Sequence, residues 1–198
     1  MQQKTQTNRL NKELQDFNER QKKGEDSGIS ILLVDQNITH WKGFINGPSD
    51  TPYANGYFQV DIVIPPEYPY KPPKMKFDTR IWHPNISSQT GAICLDILKD
   101  EWSPALSIRT ALLSLQALLC DPQPDSPQDA VVANQYKTQK DLFVKTAKEW
   151  TQNYASKNKQ EEKVQNLVNL GFEVGKVREA LLRFGYDEEQ AANFLLGG

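Results

Sequence analysis

Cysteine and histidine are both scarce in this chain, with two of each among 198 residues. Two thiols cannot build a disulfide framework, and Cys94, Cys120, His40 and His83 show no spacing that resembles a structural zinc site. Neither a metal nor another cofactor is expected. Long apolar runs are missing as well. No stretch approaches the roughly 20 residues of a membrane span, and the polar N-terminal stretch lacks the apolar core of a signal peptide. No membrane partner is expected, and the expected setting is cytoplasmic, with the nucleus as an alternative. Nor does one charge dominate, since 23 Lys/Arg stand against 25 Asp/Glu for a formal net charge of −2. Nothing in that balance asks for nucleic acid. The charge is unevenly placed, however: residues 1–23 hold six Lys/Arg against three Asp/Glu, and residues 160–198 hold four against seven. The two ends offer opposite fields to partners, or simply two solvated faces.

The length exceeds one typical domain without making two of average size, which favours a main domain followed by a small one. Leu10, Leu14 and Phe17 recur at helical spacing, with Arg9, Lys12 and Glu13 on the other face, and predict a helix ending near Gly24. Alternation then predicts strands through Ile29, Ile31 and Leu33, from Ile38 to Ile45, through Phe58 to Ile64, and from Met75 to Phe77. Gly47-Pro48 and Asn55-Gly56 supply turns between them. One helix, four consecutive strands and later helices describe an α+β domain with an antiparallel meander.

Residues 65–73 hold five prolines in nine positions, a run that cannot be helix or central strand. Its tight placement favours a rigid loop displaying Tyr70 over a ligand for a proline-recognition module. Farther on, a helix from about Ile108 to Leu119 is apolar on every face and belongs in a core, with Cys120 at its end expected to be a small buried hydrophobe. Asp121 to Pro127 is a turn-rich loop. Thr138 with Asp141 predicts the start of a helix carrying Phe143, Ala147, Trp150 and Tyr154 on one stripe, most simply read as core packing.

The residues with chemistry to offer lie between these elements. His83, Pro84 and Asn85 are followed by Cys94 a short loop later, which sets a thiol in a polar loop beside a carboxamide able to stabilise an oxyanion. That pattern is a candidate for thiol chemistry on acyl groups. His83 could form a Cys–His dyad with Cys94, but an imidazole ahead of a Pro and an Asn in a turn is better read as satisfying backbone groups.

Beyond Tyr154 the composition turns polar, and three short helical patterns follow: Val164, Leu167 and Val168; Val177 to Phe184; and Ala191, Phe194 and Leu195. Gly185 suits a helix C-terminus, and Asp187 with Gln190 suits the next N-terminus. Three helices in so few residues make a marginal core and a compact mini-domain.

Five stretches in order, Tyr68-Pro69-Tyr70-Lys71-Pro72-Pro73, His83-Pro84-Asn85, Cys94-Leu95-Asp96-Ile97-Leu98, Trp102-Ser103-Pro104-Ala105 and the Asp121–Pro127 loop, make residues from about 5 to 154 resemble the catalytic domain of ubiquitin-conjugating enzymes. The tail resembles a ubiquitin-associated (UBA) domain, with Leu170-Gly171-Phe172 where that family usually has Met-Gly-Phe or Met-Gly-Tyr, and Leu195-Leu196 closing the third helix. The expected division is a catalytic domain over 1–154, a linker over 155–160 and a UBA domain over 161–198.

The resemblance implies that Cys94 accepts ubiquitin as a thioester from a ubiquitin-activating enzyme and passes it to lysine amines of protein substrates, with ubiquitin ligases holding the parts together. It implies catalytic roles for Asn85, as oxyanion donor, loop brace or both, and for Ser126, which stands at a gate position where many relatives carry Asp. His83 and Pro84 are implied to be structural. Tyr70, Pro104 and Ala105 match ligase-binding positions, Arg9 and Lys12 match basic positions facing the activating enzyme, and Leu170, Gly171, Phe172, Leu195 and Leu196 match a noncovalent ubiquitin-binding patch. Such enzymes favour building ubiquitin chains, commonly a degradative linkage. The loop Ser87-Ser88-Gln89-Thr90 carries one residue more than common short-loop relatives.

The chemistry is consistent with that implication. An unperturbed thiol near 8.5 is roughly 3% thiolate at pH 7, enough for exchange with another thioester. Deprotonating a lysine near 10.4 costs about 4.6 kcal/mol at pH 7, which a desolvating groove lowers by about 1.4 kcal/mol for each unit of depression. A catalytically silent ubiquitin-binding variant of the fold and a conjugating enzyme for another ubiquitin-like modifier are the competing readings. Cys94 argues against the first and the UBA-like tail against the second.

Overall fold

The computed structural model describes residues 2–25 and 28–197, so Met1 and Gly198, the outer limits of the two expected domains, lie outside the described residues. Helix α1 (Gln2–Lys22) leads into strands β1 (Ile29–Leu33), β2 (His40–Asn46), β3 (Tyr57–Val63) and β4 (Lys74–Phe77). They form an antiparallel sheet in the order 1-2-3-4, as the turn-separated alternation predicts. The register aligns Ile31, Gly43, Val60 and Phe77 in one row. That row, with Trp41, Ile45, Phe58 and Ile62, makes the inner face of the sheet.

Helix α2 (Ile108–Cys120) packs on that face and buries Ile108, Leu112, Leu115 and Leu119. Gly43 lets it approach closely, since a Cβ there would lie 2.7 Å from the Leu112 side chain. Ser107 caps the helix by accepting from the Thr110 amide. Cys120 departs from expectation. It is exposed, because the helix ends there and its last residue turns away from the core.

Helix α3 (Ala130–Thr138) has no counterpart in the sequence reading. It buries only Val132 and Ala133, too short a stripe to stand out, and Asp129 starts it by accepting from the Val132 amide. The expected Thr138 cap is therefore incorrect: Thr138 ends α3, and its hydroxyl donates back to the Asn134 carbonyl. Helix α4 (Lys140–Trp150) begins after Gln139, with no side-chain cap. Its stripe is core only in part. Phe143 and Ala147 are buried, whereas Trp150 and Tyr154 flank the Arg80 guanidinium at 4.8 and 5.0 Å.

A π-helical turn (Thr151–Ala155) carries the chain out of α4, and Ser156 then bridges to Gly56 beside β3. Helices α5 (Lys157–Asn169), α6 (Val174–Arg183) and α7 (Glu188–Leu196) enclose a second, small core of Val164, Leu167, Val177, Ala180, Leu181 and Ala191. Gly185 at φ +61° turns the chain after α6, and Asp187 caps α7 by accepting from the Gln190 amide at 2.9 Å, both as the sequence predicts. The α+β architecture with a three-helix tail is thus the expected one. Among the described residues, no helix is long and apolar enough to cross a membrane.

Candidate active site

The site is an irregular extension beyond β4. Lys76 bridges to Ala92, Ile93 to Ile86, and Ile86 back to His83, so the stretch ending at Cys94 lies alongside the His83–Ile86 turn. Gly91 makes the sharp return possible: it sits at φ +73°, and a Cβ there would fall 1.9 Å from the Phe77 carbonyl oxygen. The Cys94 amide donates to the Asn85 carbonyl at 2.9 Å, which fixes the thiol against the carboxamide residue.

His83 is entirely buried. Its Nδ1 accepts from the Asn85 amide at 3.0 Å, so its Nε2 carries the proton and donates to the Leu118 carbonyl at 3.0 Å. Burial pushes this imidazole down to about 4. It stays neutral at neutral pH with both nitrogens occupied by backbone groups, so neither nitrogen is free to take a proton from Cys94. Pro84 is also buried, and its carbonyl accepts from the Gln128 and Asp129 amides at 2.9 and 3.0 Å. The turn is thereby joined to the start of α3.

Asn85 is committed on every side. Its Oδ1 accepts from the Gln123 amide at 2.8 Å, while its Nδ2 donates to the Gln123 and Ser126 carbonyls at 2.8 and 3.0 Å. This is the geometry of a brace. Its carboxamide holds the Asp121–Pro127 loop beside the thiol and cannot reach an oxyanion without releasing one of those carbonyls. Ser126 is exposed at the rim, and Asp125 next to it pairs with Lys137 at 2.6 Å.

Two side chains at the site escape sequence reasoning. Lys99 reaches Cys94, with Nζ 3.4 Å from Sγ, from the far side of a 3-10 turn (Asp96–Leu98). It is the cation that His83 cannot be, and its only sequence signal is a lysine five positions past the thiol. Asp129 accepts from the amide and hydroxyl of Ser88 at 3.1 and 2.7 Å as well as capping α3, so it anchors the Ser87–Thr90 loop. Those hydrogen bonds outweigh its partial burial and hold its carboxyl below the usual range.

The other expected residues form separate surfaces. Tyr70, 73% exposed, lies in the proline-rich loop, and Pro104 and Ala105 are exposed in a second loop. The Trp102 indole joins the two by donating to the Pro69 carbonyl at 2.7 Å. On α1, Lys12 is exposed, but Arg9 is half-buried and engaged. It pairs with Glu13 and donates to the Leu106 carbonyl, while Glu13 also accepts from the Tyr68 hydroxyl and the Ile108 amide. In the tail, Leu170 and Leu196 are 71% and 74% exposed, Gly171 is exposed, and Phe172 and Leu195 pack partly on the small core.

Comparison with known proteins agrees with these features. Residues 9–151 match the family model described as ubiquitin-conjugating enzyme, and residues 159–195 match that of the UBA/TS-N domain. A ubiquitin-conjugating enzyme of Arabidopsis thaliana, E2 27, is 54% identical over 183 residues, covering 92% of this chain and 94% of that protein. The human ubiquitin-conjugating enzyme E2 K is 52% identical over 172 residues, covering 85% and 86%. Among solved structures, the E2 domain of a Toxoplasma gondii ubiquitin conjugating enzyme superposes with a TM-score of 0.70 at 61% identity, covering 75% of this chain and 97% of that one. A thiol held in a braced loop, on this fold and with these relatives, has one reading: the chain belongs to the ubiquitin-conjugating enzyme family and carries a UBA domain behind the catalytic one.

Proposed function

We propose that Cys94 is the thiol that carries ubiquitin and that the Asp121–Pro127 loop, held by Asn85, forms the wall along which the acceptor lysine approaches. The observation that carries this is the convergence on one sulfur of a fixed backbone, a committed carboxamide and the Lys99 ammonium. In the first step the Cys94 thiolate attacks the thioester carbonyl of ubiquitin on the activating enzyme. A new C–S bond forms, the old one breaks, and the activating enzyme's cysteine leaves as a thiolate that solvent can protonate. In the second, a neutral lysine amine attacks the same carbonyl, the amide forms, and Cys94 departs as thiolate beside the Lys99 ammonium, which stabilises the negative sulfur. The amine's surplus proton passes to solvent. Ser126 orients the amine from the rim through its hydroxyl.

Lys12, with Arg9 more weakly because its guanidinium is already paired, faces the activating enzyme. Tyr70 with Pro104 and Ala105 receives ubiquitin ligases, a rigid aromatic beside a small apolar knob being suited to an interface hot spot. The exposed Leu170 and Leu196, with Gly171, Phe172 and Leu195, bind a second ubiquitin noncovalently, which favours chain building. Separate apolar clusters support a catalytic domain over 1–154 and a UBA domain over 161–198, joined by 155–160. The setting is cytoplasmic or nuclear.

Incubation with activating enzyme, ATP and ubiquitin gives an adduct cleaved by reductant. Cys94→Ser converts it to a reductant-stable ester or abolishes it. A reducible adduct that survives the substitution refutes the assignment.

A further inference from the structure

The polar residues of α1 do not all face water. Periodicity sets Glu13 on the polar side of this helix with Arg9 and Lys12, yet Glu13 is 9% exposed, and Gln6, two turns earlier, is 7% exposed. A buried carboxylate costs free energy unless donors converge on it. Three do. Its Oε1 accepts from the Arg9 guanidinium and from the Tyr68 hydroxyl, the latter at 2.6 Å, while its Oε2 accepts from the Ile108 amide at 2.9 Å.

These donors come from three separate segments. Tyr68 lies in the proline-rich loop, two residues before Tyr70. Ile108 opens α2, and its amide is one of the first-turn donors that a helix leaves without an internal partner, at the end where the helix dipole favours negative charge. It follows the loop over residues 102–106, whose Leu106 carbonyl accepts from Arg9 at 2.7 Å. Gln6 adds another tie by donating to the Pro65 carbonyl, at the start of the proline-rich loop, at 2.6 Å. Five prolines deprive that loop of five amides, so it has few means of holding itself. Desolvation, and after it the Glu13 charge, raises the Tyr68 hydroxyl well above its ordinary range, which keeps it a donor. The buried Tyr68 ring also packs against Trp102 at 5.9 Å, so the roots of the two loops are joined.

We infer that Glu13 is a positioning residue for the ligase-facing surface: from α1 it fixes the roots of the two loops that carry Tyr70 and Pro104 with Ala105, so that a ligase meets them already in place. The inference rests on the ligase-binding role proposed for those residues. Ordering a loop during binding costs affinity, and a partner that needs a conformation present only part of the time binds more weakly by that fraction. One carboxylate gripping both loops sets their relative placement before the partner arrives. Glu13 makes none of the hydrogen bonds that hold Cys94 or the Asp121–Pro127 loop, so chemistry without a ligase does not depend on it.

The test follows discharge of ubiquitin from the loaded full chain to free lysine, while a ubiquitin ligase chosen because it accelerates the wild type is titrated in. Glu13→Gln is expected to raise the half-saturating ligase concentration roughly tenfold and Tyr68→Phe roughly threefold, with the plateau rate and the ligase-free rate within about twofold of wild type. Hydrogen exchange gives a second reading. The Tyr70 and Leu106 amides, bonded to the Glu67 and Ser103 carbonyls, should exchange roughly tenfold faster in Glu13→Gln, with Val60 and Ile62 of the sheet unchanged. If Glu13→Gln impairs folding, Tyr68→Phe, which deletes one hydroxyl, carries both readings. Unchanged half-saturation in these variants, or unaltered exchange at Tyr70 and Leu106, overturns the inference. A parallel fall in ligase-free discharge does so too, since it marks a merely structural role. Tyr70→Ala is run alongside: if it leaves half-saturation unchanged, the ligase reading of this surface fails and the inference with it, an outcome distinct from a Tyr70 effect without a Glu13 one.

Discussion

Asn85 shows how the place of a side chain can be legible in sequence while its partners are not. Its proximity to Cys94 is legible, because eight intervening residues with a glycine can only fold back. Its three hydrogen bonds to Gln123 and Ser126 are not, because they join positions 38 and 41 residues apart. Asn85→Ala removes the partner of the Gln123 amide and of the Gln123 and Ser126 carbonyls, and is expected to lower unfolding stability by about 1–2 kcal/mol as well as slow transfer. A urea titration beside single-turnover transfer separates the two effects. Slow transfer at unchanged stability would show the carboxamide to be an oxyanion donor alone. His83 yields a pH prediction. The folded state holds this imidazole at about 4. The unfolded chain binds a proton near 6.5. Between those values the unfolded state binds more protons, so stability is full above about 6.5 and falls as pH drops toward 4. The loss expected at pH 5 relative to pH 8 is about 2 kcal/mol, read from the denaturation midpoints at the two pH values.

At the scale of elements, period and turn chemistry carried the reading wherever burial was one-sided. The four strands are legible because residues such as Val60 and Ile62 alternate, and α2 because apolar residues crowd its whole length. Helix α3 is not, since its two buried residues make no stripe and its start depends on a carboxylate whose other oxygen is spent on a loop 41 residues away. Thr138 misled for a related reason: Ser and Thr serve helix starts and helix ends alike, and only the neighbouring turn decides. Asp129→Ala is expected to destabilise the chain by about 2 kcal/mol through loss of the cap and of both Ser88 bonds. Hydrogen exchange should rise first at Ser88 and in the opening turn of α3. Unaltered protection there would show that the loop holds itself.

At the scale of the molecule, the order of a strand-rich stretch and a helical tail is legible, whereas the contact between Gln59 of β3 and the Leu182 carbonyl of α6, 2.7 Å long across 123 positions, is not. Alternation in β2 and β3 says which residues point outward and nothing about what lies over them. Phe44 was the available hint, a large apolar side chain on the face where polar ones belong. The site shows the same division. The thiol, the His83–Asn85 turn and the Asp121–Pro127 loop are visible in sequence order, whereas Lys99 came into view only when a 3-10 turn swung it back toward the sulfur.

One indole hydrogen bond has a mechanical corollary. Trp102, eight residues after Cys94, holds the Pro69 carbonyl with its indole, so the loop that displays Tyr70 and the loop that carries Pro104 and Ala105 are tied to each other. Under the ligase-binding role proposed for Tyr70, force applied at that ring reaches the segment that follows Cys94 through this one bond, with the sheet left in place.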